Sequence, residues 1–144
     1  MDSREIEEML RQDRAEWDVL ARLLDSHPEQ PLHAEGAPWT ARDIYAHVAH
    51  WMAHSNTNMQ ALLSGGTTSD IEETDEVNTL WQQEDSRLSL EAARRWASET
   101  FERRLQVIHA IAPDAWNAEL EAIARCDGFE HYVSHRLWIM PVRL

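Results

Sequence analysis

The chain has 144 residues, enough for one compact domain with its own core. Apolar residues make up 43% of it and seven residues are Trp, which excludes a disordered chain. The 13 basic residues, all Arg, are outweighed by 26 acidic ones, and a net charge of −13 argues against nucleic acid or an anionic membrane surface as partner.

Cys126 is the only cysteine, so an intramolecular disulfide is excluded and a reducing compartment suits the chain. The first residues carry no apolar signal-peptide core, and no apolar run reaches membrane-spanning length. The expected location is therefore the cytoplasm. Ala, Leu, Glu and Arg are abundant and β-branched runs scarce, which points to an all-α fold in a single domain spanning residues 1–144.

The first helix is predicted from about Ser3 to Asp25, with Asp2 and Glu5 as its capping box. Ile6, Leu10, Trp17, Leu20 and Leu24 recur on one face, and Asp13 falls in the middle of that face. A carboxylate there is costly unless it is paired or faces a polar cavity. Pro28, Pro31, Gly36 and Pro38 then make a loop that cannot be helical.

The second helix has the clearest start. Thr40 reads as its N-cap, Asp43 as the acid three residues on, and Trp39 with Ile44 as the hydrophobic staple. It is predicted to end near Ser64, at Gly65-Gly66, with Ile44, Val48, Trp51, Ser55 and Leu62 as its buried stripe. A polar connection follows from Thr67 to Thr74, and Asp75 to about Asp85 reads as a short helix. Ser89 caps a third main helix from Leu90 to Ala112, whose seam is Leu90, Ala97, Phe101, Leu105, Ile108 and Ile111. Pro113-Asp114 ends it and starts a short helical piece through Ala124. After a break at Asp127-Gly128, the fourth main helix runs from about Phe129 to Met140 and is stopped by Pro141. Four main helices suit a four-helix bundle. Bundle connections are usually about 2–8 residues. The stretch from Gly65 to Ser89 is longer, and makes the second and third main helices parallel.

His131 and His135 are four residues apart on the last helix, hence about 40° apart on its surface, and both can reach one metal ion. The helical zinc-protease pattern H-E-x-x-H is absent, because no Glu follows His131. The second helix carries His47, His50 and His54, of which His50 and His54 form another i, i+4 pair. Helical phase favours His47 as the inward one, about 70° from the apolar stripe, with His54 further round and His50 on the solvent side. His54 is kept as a reserve ligand or a supporting group. His109 lies about 100° off its helix seam and reads as a boundary residue, and His27 and His33 as surface residues of the Pro-rich loop. Three imidazoles would leave at least one coordination position open. Asp13, Glu130 and Asp43 are candidates to orient a ligating imidazole through its other nitrogen.

The segment from Trp39 to Trp51, WTARDIYAHVAHW, resembles the W-[ST]-x-x-[DE]-[IVL]-x-x-H segment of the DinB/YfiT-like superfamily. Glu130-His131-Tyr132-Val133-Ser134-His135 resembles its C-terminal E-H-Y-x-x-H. Asp75-Glu76-Val77-Asn78 is similar to the acidic-x-Asn element before its third helix, and Leu88-Ser89-Leu90-Glu91-Ala92 to the start of that helix. The resemblance implies an up-down-down-up bundle and a divalent metal held by His47, His131 and His135. Zinc is expected there, with nickel, iron or manganese as alternatives. It also implies a homodimer, and a small-molecule substrate attacked by water or by a low-molecular-weight thiol, as in the thiol-dependent transferases and the DfsB/ClbS-like resistance proteins. The activity expected is that of a metal-dependent hydrolase or S-transferase, with Asn78 and Tyr132 lining the pocket. The alternative is a non-catalytic bundle that binds metal or sequesters small molecules under stress.

Overall fold

Asp2 opens the first helix of the computed structural model, which describes residues 1–29, 31, 32 and 39–143, with backbone alone for 140–143. The Asp2 carboxylate accepts from the Glu5 N–H at 2.8 Å, and the Glu5 carboxylate accepts from the Asp2 N–H at 2.8 Å. Helix α1 then runs Ser3–Ser26. Of the loop that follows, His33, Gly36 and Pro38 lie outside the described residues.

Helix α2 spans Ala41–Leu63. Asp43 reaches back over its start, accepting from the Thr40 N–H at 2.9 Å and the Thr40 hydroxyl at 3.2 Å. Gly65, at φ 79°, adopts the left-handed conformation just past the helix end. Helix α3 is Thr74–Asp85, and α4 is Leu90–His109, capped by the Ser89 hydroxyl on the Ala92 N–H. A 3-10 turn at Pro113–Ala115 leads into α5, Ala118–Cys126. Helix α6 runs Phe129–Arg143, so Pro141 does not stop it as expected. A proline this close to a helix end forfeits only one backbone bond. Every regular element among the described residues is helical, and none is long and apolar enough to cross a membrane.

The largest helix contact is α2 on α4, and α1 lies mainly on α6. Two apolar clusters result. The larger centres on Trp17, which stacks on Phe101 at 5.0 Å and meets Tyr132 edge-on at 5.4 Å. Leu20, Leu24, Ile44, Val48, Met52, Ala93, Ala97 and Ile139 are among its other members. The smaller joins Ile6 and Met9 of α1 to Met59 of α2, Val107 and Ile108 of α4, and Leu120 of α5. Each large side chain so buried stabilises the fold by about 1.5–3 kcal/mol. Helix α3 contributes no buried residue.

Asp13 is buried, as its place in the α1 seam requires, and it is paired. Its carboxylate accepts from Arg104 Nη2 at 2.9 Å and from the Phe129 N–H at 2.9 Å, the second bond fixing the start of α6. Arg104 Nη2 also reaches the Ala124 carbonyl, while its Nε and Nη1 have no hydrogen-bond partner among the described residues. Gly128 sits against this pair. A Cβ there would stand 2.5 Å from Arg104 Nη2 and 2.7 Å from the Asp13 carboxylate.

Candidate metal centre

The cap at Thr40 and Asp43 sets the phase of α2, and that phase turns His47 inward. The anchor of Phe129 on Asp13 does the same for α6, whose first two turns carry His131 and His135. The three imidazoles meet between α2 and α6. Ring centroids are 5.3 Å apart for His47 and His131, 4.8 Å for His47 and His135, and 4.7 Å for His131 and His135. Each offers one ring nitrogen within 4.8 Å of the other two.

The two Nε2 atoms of His131 and His135 lie 3.0 Å apart. Two lone pairs at that distance repel unless a proton on one ring or a shared cation lies between them. Burial holds the His131 pKa below its ordinary value, with Asp127 opposing the shift. Neutral imidazole is the form that ligates metal. The donor set therefore fits a divalent ion, and these three histidines could hold one.

A cavity of about 610 Å³ opens beside the cluster. That lies within the usual range of about 300–1,000 Å³ for small-molecule sites. Trp51, Ile71, Ile123 and Trp138 supply apolar wall, and His54, Asn58, Asp70, Asn78 and Asp127 supply polar groups. Asn78 lines the cavity as expected and is held by the Trp51 Nε1–H, which donates to its Oδ1 at 2.8 Å.

Several expectations need correction. Asp13 holds Arg104, Asp43 caps α2, and Glu130 is exposed. The carboxylate that stands beside His131 is Asp127, whose place in the sequence marks only a helix break. It accepts from the Ser55 hydroxyl through Oδ2, and its Oδ1 stands 3.8 Å from His131 Nδ1. The i, i+4 spacing of Asp127 and His131 was the signal that could have found it. Tyr132 does not line the cavity. It is buried in the core and its hydroxyl meets Met52 Sδ at 3.1 Å, because its side of α6, turned away from the histidines, points at α1 and α4.

His50 is half-buried, not on the solvent side. It stacks on Trp81 at 4.1 Å and pairs with Asp85 at 2.8 Å, because α3 folds over that face of α2. His54 lines the cavity 3.3 Å from Asn58 Nδ2, outside the three-histidine group. His27 is half-buried and His109 exposed. Cys126 is exposed at the cavity, and desolvation together with the neighbouring Asp127 charge raises its pKa, so it stays a thiol.

The fold and site thus define an all-helical protein with a three-histidine group that could hold a metal. No family model matches the chain, and neither does any curated protein or solved structure.

Proposed function

We propose that the chain is a member of the DinB/YfiT-like superfamily and a divalent-metal-dependent enzyme, in which water or a low-molecular-weight thiol attacks a small electrophilic substrate. The observation that carries this reading is the convergence of His47, His131 and His135 beside a cavity of small-molecule size. The up-down-down-up arrangement belongs to the same proposal. The pairing of the first half of α2 with Ala93 and Ala97, and of Met59 with Val107 and Ile108, supports a parallel α2 and α4.

A divalent ion, when bound, supplies positive charge that lowers the pKa of a water or thiol beside it. The chain's own residues do the rest. His47, His131 and His135 would hold the ion through neutral imidazoles. Asp127, which accepts from Ser55, stands 3.8 Å from His131 Nδ1, beyond hydrogen-bond distance, and acts on that imidazole through its charge. Trp51 and Trp138 give the cavity wall apolar surface, and Asn78 presents a fixed amide.

Metal content and zinc titration of untagged protein test the reading. The wild type is expected to take up one zinc per chain and to melt higher with it. His47→Ala, His131→Ala and His135→Ala are each expected to lose both effects. Stoichiometric metal retained in His131→Ala would overturn the ligand set. Zinc and ligand binding without turnover of electrophiles, with or without added thiol, would favour sequestration instead.

A further inference from the structure

The cavity's charge is one-sided. Its wall includes two carboxylates, Asp70 and Asp127, and no Arg or Lys among the described residues. Its apolar surface comes largely from two indoles, Trp51 and Trp138, with Ile71 and Ile123. Asp127 is engaged by Ser55 and lies beside His131. That leaves Asp70, which is exposed to solvent, as the carboxylate free to meet a ligand entering from outside.

We infer that, while the three histidines hold no ion, the cavity prefers a small organic cation, an amine with a flat apolar body, to an anion of the same shape. This inference rests on the reading of the cavity as the substrate site. An indole ring attracts an ammonium over its face and stacks on a flat apolar body. A carboxylate near the ammonium adds attraction that an anion meets as repulsion. The net charge of −13 works in the same direction at long range. About 0.15 M salt screens that field beyond about 8 Å, so a preference that survives such salt comes from the cavity itself.

Three probes with one carbon skeleton separate charge from shape: phenethylamine, 2-phenylethanol and phenylacetate. Binding is measured calorimetrically at about pH 8, where exposed imidazoles are neutral, in about 0.15 M salt. Metal-free protein and protein with one equivalent of zinc are titrated side by side. In the metal-free protein phenethylamine is expected to bind about tenfold tighter than phenylacetate, with the alcohol between them. Asp70→Asn should bring amine and acid to within about twofold. Glu72→Gln, which removes an exposed charge outside the cavity wall, should leave the preference intact. Phenylacetate binding as tightly as the amine, no amine binding at all, or an Asp70→Asn protein with unchanged preference would each overturn the inference. Failure of the metal reading shows separately, as absent zinc uptake with the metal-free preference still measurable.

Discussion

Two polar clusters interrupt the apolar interior, and they are built on opposite principles. On one side, Asp13 and Arg104 are both fully buried and joined at 2.9 Å, with the start of α6 bonded to the same carboxylate. On the other, His47, His131 and His135 face one another at the edge of a cavity. The first cluster is charged and sealed, and satisfies its carboxylate with protein donors. The second is built of groups that can be neutral, and it turns lone pairs toward space that a ligand can enter. Burial of polar atoms therefore does not by itself mark a functional site. What distinguishes the two is that the first is closed by its own opposite charges, whereas the second is a group of imidazoles that could hold an ion.

That contrast predicts where stability and binding separate. Asp13→Ala leaves the Arg104 guanidinium buried without its counter-charge, and should cost about 3–5 kcal/mol, lowering Tm on the order of 10 °C. Chemical denaturation of the metal-free protein checks this. His135→Ala in the same assay should cost less, because removing a buried neutral imidazole leaves a void but no stranded charge. Equal losses in the two variants would erase the distinction between the clusters.

Gly128→Ala probes the sealed cluster sterically. Its Cβ would collide with both members of the pair, and a loss of about 1–3 kcal/mol is expected. An unchanged denaturation midpoint would show that the pair yields freely. Asp127→Asn probes the open cluster from behind. It should weaken zinc binding about 10–100-fold while leaving the metal-free stability nearly unchanged, as read by competition with a chelator. Undiminished affinity would remove Asp127 from the site.

The smallest effect is in pH. Burial lowers the folded-state pKa of His131 below its unfolded value of about 6.5. The unfolded chain therefore binds the proton more readily. The contribution of neutral His131 is fully present above about pH 6.5 and is lost as pH falls through the lower folded value. Metal-free wild type should lose Tm between about pH 7.5 and 5.5 more steeply than His131→Gln. Parallel slopes would remove the burial of His131 from the account.

Helix starts were readable from the chain because their causes are local. Asp2 with Glu5, Thr40 with Asp43, and Ser89 all lie within three residues of what they cap, and all were found in those roles. The inward turn of His47 followed from the phase of one helix, and the reach of His131 and His135 to a common point from the spacing on another. Arg104 shows where that kind of reading stops. The Leu90–Ala112 seam read from sequence omits it, yet it is fully buried, because its partner Asp13 comes from a helix 91 residues away. Tyr132 fails for the same reason. Its side of α6 is chosen by Trp17 and Phe101, which belong to α1 and α4.

The sequence by itself determined the all-helical class, the helix boundaries to within a few residues, and the three histidines to watch. These depend on capping, periodicity and i, i+4 spacing, which act within a turn or two of one helix. The tertiary structure alone decided that Asp127 stands beside His131, that Asp13 serves Arg104 instead, and that the histidines open on a cavity carrying acid and indole. Those outcomes depend on how helices lie against one another, which sets what each inward face meets.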